Sequence, residues 1–333
     1  LIDARDKAAE FLAGVDAGRL QTRMGENMNH DESKSTGLAR RQFLAASVGA
    51  AVGLNLNASA VAQEAPKAGP QDQPRNTVAV EAVDGGVLLI GIDRDEQNLV
   101  DPPTFIALGK ALYRLDHDDG LRAAVLYGRG RNFTPGIDAA AWAAALSAGP
   151  FKPNTPDFIN PLATVPPLRT KPVVAAVHGA TKFFGHELFL ACDLRVAATD
   201  TVFSQGEVTR ALFPAGGGTI RFTREAGWGN AMRYMLTGEE WGAEESYRLG
   251  LTQAVTPPGK ELDRAVDFAK KIASAAPLGV RATLASAHRG LAEGETAAFA
   301  ALQPEFAKMF KTEDFQERLR AGRENRPPVY QGR

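Results

Sequence analysis

The chain is 333 residues long, 44% hydrophobic and 23% charged, with a formal net charge of −1. That size allows one large domain or two modest ones, and a balance this near neutrality gives no electrostatic basis for a nucleic-acid or membrane-surface partner. Cys192 is the only cysteine and the histidines show no ligand spacing, so an intrachain disulfide is excluded and no metal site is expected.

Residues 1–62 read as a targeting segment rather than as part of a fold. Arg40-Arg41 is followed by Phe43-Leu44, residues 42–63 carry no charge, and the run closes on the overlapping triplets Ala58-Ser59-Ala60 and Ala60-Val61-Ala62. A basic start, a mildly apolar stretch and a small-residue exit are the parts of a secretory signal, and the arginine pair indicates the twin-arginine route. Ser47, Asn55, Asn57 and Ser59 interrupt the stretch, which argues against a stable membrane span, since a span needs about 20 apolar residues. The expected location is periplasmic, or cytoplasmic if the signal is cryptic. Met24 or Met28 gives a more usual start to such a signal, so residues 1–23 are expected to lie upstream of it. Residues 63–77 are rich in Pro, Gln, Ala and Gly and suit a flexible linker.

Regular pattern begins after that. Residues 78–83 and 87–92 are β-rich runs separated by Asp84-Gly85-Gly86, a hairpin signal. Asp101-Pro102 looks like an N-cap with proline at the first helical position, and Phe105, Leu108, Leu112 and Leu115 follow at helical spacing up to Gly120. Strands are predicted over 123–127, 173–177 and 194–197, with a helix resuming at Gly185. From about Lys260 the chain reads as helix throughout. Strand-helix alternation over 78–259 and a helical region over 260–333 predict an α/β fold with a helical appendage.

Three segments carry candidate chemistry. In Asn132-Phe133-Thr134-Pro135-Gly136-Ile137-Asp138 a strand exits through a glycine turn into a helix start, which leaves backbone N–H groups free to face a cleft. The plain alternative is a tight turn capped by Asp138. In the second segment His178-Gly179 leads to Gly185-His186-Glu187-Leu188; taken alone, Glu187 complements a helix dipole. The third is Phe203-Ser204-Gln205-Gly206-Glu207 followed by Pro214-Ala215-Gly216-Gly217-Gly218-Thr219. The triple glycine lacks the Lys-Ser/Thr of a phosphate loop and is better read as allowing close backbone packing.

Together these segments resemble the crotonase (enoyl-CoA hydratase/isomerase) superfamily from about Val78 to Arg333. Phe133, Gly136 and Asp138 match its Phe-x-x-Gly-x-Asp element, and Gly179, Gly185, Glu187, Leu188, Cys192, Asp193 and Leu194 fall in register with the next. Glu207 stands 20 residues after Glu187, as the second glutamate of the family's hydratases does, and Pro214, Gly217, Gly218 and Thr219 match Pro-x-x-Gly-Gly-Thr. The resemblance implies a ββα spiral core with a C-terminal helical region that mediates trimerisation, giving a homotrimer or hexamer. It implies an acyl-CoA substrate, of which CoA is a part, and no separate cofactor. Glu187 and Glu207 would be catalytic, the backbone N–H groups of Ile137 and Phe184 would form an oxyanion hole, and Gly136, Asp138, Gly185 and Lys182 would line the substrate. Water addition across the 2,3 double bond is the first reading. The others are an isomerase, hydrolase or decarboxylase on the same scaffold, or a noncatalytic acyl-thioester-binding protein. Where the family has three small residues this chain has Phe183, Phe184 and Gly185, so the phenyl groups are expected to reshape the acyl pocket. Lys182 is either a solvated loop charge or a contact for CoA phosphates or substrate.

Overall fold

The computed structural model describes residues 77–333 apart from Ala148. The signal expected over 1–62, and the linker as far as Asn76, lie outside the described residues. Strands β1 (Val78–Val83) and β2 (Val87–Ile92) form the expected antiparallel hairpin. Gly85 and Gly86 at its tip have φ of +87° and +75°, which glycine adopts without a steric penalty. Helix α1 (Pro102–His117) starts where the sequence places it: Asp101 accepts a 2.8 Å hydrogen bond from the Thr104 N–H, and proline opens the first turn. Strand β3 (Ala123–Gly128), helix α2 (Ala139–Ser147) and strand β4 (Val173–Val177) follow.

The chain then steps between two sheets. Strand β5 (Ala180–Lys182) belongs to the second sheet, helix α3 (Phe184–Leu190) leads back, β6 (Leu194–Ala198) rejoins the first, and β7 (Val202–Ser204) returns to the second. A 3-10 turn (Glu207–Arg210), helices α4 (Gly218–Ala226) and α5 (Trp228–Thr237), strand β8 (Trp241–Gly242), helix α6 (Ala243–Arg248) and strand β9 (Ala254–Thr256) complete the core. The large sheet has the order β1-β2-β3-β4-β6-β9 and is parallel from β2 onward; the small one is β5-β7-β8. Single bridges Thr134–Thr181 and Val100–Ile137 carry the small sheet back to the earlier turns. Each turn of the chain therefore lays one strand in the large sheet, one extended segment in the small sheet, and a helix. This is the α/β, ββα spiral that the sequence led us to expect.

Four helices follow, α7 (Glu261–Ala273), α8 (Pro277–Glu293), α9 (Glu295–Met309) and α10 (Glu313–Arg323). Helix α7 lays Ala265, Ala269 and Ala273 against Val87, Val125, Val174 and Val196 on one face of the large sheet. The opposite face packs Leu88, Ile90, Leu126 and Val177 into the main core with α1, α3, Phe203 and Trp241. With both faces covered, β4 is buried at every residue and reads as an unbroken apolar run. Cys192 is buried where α3 turns into β6, with its Sγ 3.5 Å from the Leu188 carbonyl; burial pushes the thiol up to about 12. The C-terminal tail folds back, the Gln331 and Gly332 N–H groups donating to Asp314 at 2.6 and 2.9 Å. Among the described residues no helix is long and apolar enough to cross a membrane.

Candidate active site

Glu187 lies one turn into α3, but its carboxylate does not serve that helix's own N-terminus. Its Oε1 accepts the N–H groups of Gly216 and Gly218 at 2.6 and 2.9 Å. The glycines are needed there: a Cβ on Gly216 would stand 2.5 Å from Glu187 Oε2, and one on Gly218 would stand 3.1 Å from Oε1. The triple glycine is thus a cradle for a carboxylate, which is the close backbone packing expected of it, applied to a side chain.

Glu207 opens the 3-10 turn after β7. Its Oε1 accepts from Gln205 Nε2 at 2.7 Å, while its buried Oε2 has no partner among the described residues. Glu187 and Glu207 are only 4% and 7% exposed, so both carboxylates are largely desolvated. Burial pushes the Glu187 carboxyl up to about 7; the glycine N–H groups oppose that shift and the charge of Glu207 adds to it. Burial also raises Glu207, against the hydrogen bond from Gln205. The charge of Glu207 favours the protonated form of Glu187, so one carboxyl can hold a proton while the other is ionised.

The two segments expected to supply oxyanion donors are stitched together. The Lys182 N–H donates to the Thr134 carbonyl at 3.1 Å, and a Cβ on Gly185 would stand 2.2 Å from that same oxygen. Only glycine lets the start of α3 come this close to the 134–137 loop. Gly136 takes φ +130° beside the Phe183 ring, which a Cβ there would meet at 3.6 Å. Neither the Ile137 nor the Phe184 N–H has a hydrogen-bond partner among the described residues. Phe183, at φ +53° and ψ −119°, holds a backbone conformation that costs a side chain energy and glycine none. Its ring lies under the Arg210 guanidinium, 3.9 Å from centroid to carbon. The Phe184 ring packs edge-on against Phe105 at 6.0 Å, and Phe105 in turn meets Trp142, Phe151 and Phe158.

Two expected substrate contacts have other partners. Asp138 caps α2, accepting from the Ala141 N–H at 3.0 Å, and pairs with Arg94 at 2.8 Å; these bonds hold its carboxyl below the ordinary range. It fixes the turn that presents Ile137. Lys182 Nζ is 2.5 Å from Glu240, a surface ion pair. The structure also adds two residues that carried no role in the sequence reading. His186 is wholly buried, with Nδ1 hydrogen-bonded to Gln205 Oε1, and Gln205 links it to Glu207. The usable signal was a histidine next to one glutamate and a glutamine two residues before the other.

The two-sheet spiral and its paired carboxyls define a crotonase-fold enzyme. The Enoyl-CoA hydratase/isomerase family model matches residues 82–333, and the chain belongs to that family. It is 31% identical over 252 residues to "Enoyl-CoA hydratase EchA19" of Mycobacterium tuberculosis, covering 75% of this chain and 94% of that protein. It is 33% identical over 254 residues to "(E)-benzylidenesuccinyl-CoA hydratase" of Thauera aromatica, covering 75% and 97%. Among solved structures, a probable enoyl-CoA hydratase/isomerase from Mycobacterium abscessus is similar at TM-score 0.74 and 40% identity, over 78% of this chain and 99% of that one.

Proposed function

We propose that the protein adds water across the 2,3 double bond of an acyl-CoA thioester. The observation that carries this reading is the pair of buried carboxyls, Glu187 held by two backbone N–H groups and subject to the charge of Glu207, and Glu207 with one oxygen unpaired among the described residues. The thioester carbonyl would accept the Ile137 and Phe184 N–H groups, so that charge developing on its oxygen is stabilised by donors already in place; each such donor is worth about 3 kcal/mol. Glu187 orients the water. Glu207 takes a proton from it as the oxygen bonds to C3 and the π electrons move onto the thioester as an enolate. The same proton is then delivered to C2, and Glu207 ends ionised as it began. The relatives named as hydratases support this reading over the sister reactions of the scaffold.

The test is crotonyl-CoA hydration by the wild type, Glu187→Gln and Glu207→Gln. Glutamine keeps size and hydrogen bonding but transfers no proton, so kcat should fall about 10²–10⁴-fold in each. Because the carboxyls act as a unit, the double variant should be little worse than the poorer single one. Full activity in Glu207→Gln rules the hydratase reading out. We further propose that Arg40-Arg41 and the uncharged run after it direct twin-arginine export, with cleavage near Ala60 or Ala62. Mass analysis of the protein from its native host should find that new N-terminus in the periplasm; cytoplasmic protein retaining Arg41 counts against export.

A further inference from the structure

His186 precedes Glu187 on α3 and is 0% exposed. The rings of Phe189, Phe203, Phe222 and Trp241 surround it, with centroids between 5.1 and 5.9 Å away. Its Nδ1 meets Gln205 Oε1, and its buried Nε2 has no partner among the described residues. Burial holds the imidazole neutral, its pKa lowered to about 3. A neutral imidazole carries one N–H, and an amide oxygen only accepts, so the proton sits on Nδ1. The amide orientation is set from its other side, where Gln205 Nε2 donates to Glu207 Oε1 at 2.7 Å and to the Phe183 carbonyl at 3.4 Å. The reversed amide would set its oxygen against a carboxylate oxygen.

We propose that His186 is a positioning residue for Glu207: acting through Gln205, its Nδ1–H ties down Glu207 Oε1 and leaves Oε2 as the oxygen that carries the proton. What that proton does rests on the hydratase reading; the linkage itself does not. The charged group that influences Glu207 is Arg210 on the 3-10 turn, Glu207 in turn acts on Glu187 of α3, and the charge that influences His186 is Arg195 on β6. All of these remain when the histidine is replaced. Without that donor Gln205 keeps only the bonds of its Nε2, the one to the Phe183 carbonyl being long at 3.4 Å, so the hydrogen bond that favours the ionised form of Glu207 is weakened.

Four variants separate this role from packing. His186→Phe and His186→Leu keep apolar bulk and drop the donor. His186→Asn places an amide N–H where the imidazole Nδ1–H stood, and Gln205→Met breaks the link without touching the ring. The substrate-free readout is the carboxyl ¹³C titration of Glu207, assigned with Glu207→Gln. Its midpoint should rise by roughly one unit in the Phe, Leu and Met variants, a tenfold change in the equilibrium, and stay near wild type in Asn. With crotonyl-CoA, kcat below that midpoint should fall about tenfold in the same three variants, with KM nearly unchanged. A packing role predicts the reverse order, since an amide is the poorest fit to an aromatic cage. A wild-type midpoint in His186→Phe or Gln205→Met, or an Asn variant more perturbed than Phe and Leu, overturns the proposal. Gln205→Met reads the Gln205–Glu207 half of the link, and the contrast of His186→Asn with His186→Phe reads the histidine half, both at a temperature below the melting of every variant. A wild type that hydrates nothing strikes the hydratase reading alone, because the midpoints are read without turnover.

Discussion

Burial that lifts the Glu187 carboxyl from its ordinary value of 4.5 to about 7 has a consequence for the stability of the fold. A group that holds its proton more tightly when folded favours folding fully below its unfolded pKa, and that contribution is lost as pH rises through the folded value. For Glu187 the window runs from about pH 4.5 to 7, and a shift of this size corresponds to about 3 kcal/mol at most. Glu187→Gln keeps an oxygen for the Gly216 and Gly218 N–H groups and carries no charge at any pH. It should melt above the wild type at pH 8, with the gap closing towards pH 5, as read by calorimetry. A gap that does not change with pH would show that the carboxyl titrates normally. The sequence disclosed this residue and Glu207 through their spacing within a family pattern. It could not disclose the cradle, because backbone N–H groups leave no mark in a sequence and the contacts span 29 and 31 positions. His186 stayed hidden for a related reason: its meaning depends on four rings drawn from α3, β7, α4 and β8.

Elements were legible in proportion to their length. The hairpin, the capped helix α1 and the apolar strand β4 stand at the expected residues, because each has enough positions to show a period, a cap or a run. The resemblance implied a second strand in each turn, but the residues of the small sheet could not be placed: β5 and β7 have three residues each and β8 two, too few to display alternation. The helical tail was foreseen, but the use of α7 was not. Its Ala265, Ala269 and Ala273 form a small-residue face that brings the helix close to a sheet of valines. Ala269 is 0% exposed, and Ala269→Leu should therefore destabilise the fold by about 1–3 kcal/mol through overpacking. Urea unfolding would read this as a lower midpoint at unchanged slope. A stability equal to wild type would mean that α7 can move away from the sheet.

Among the described residues, the C-terminal helices leave an apolar stripe uncovered. Along α9 and the residue that ends it, Phe299, Leu302, Phe306 and Phe310 are 65%, 44%, 58% and 47% exposed. Such a contiguous stripe is what an interface presents, and the family resemblance implies trimers or hexamers. Light scattering at micromolar concentration should give three or six times the chain mass, and a monomer mass would count against assembly through this face. The single cysteine has a different use at this scale. Cys192 is buried, unreactive at neutral pH and five residues from Glu187, at the junction of α3 with the central sheet. A thiol reagent therefore finds no target until that junction opens. Labelling kinetics in the unaltered protein would clock the opening of α3 itself, with no engineered probe. Slower labelling in the presence of an acyl-CoA would report ligand binding as a lengthened lifetime of the closed state.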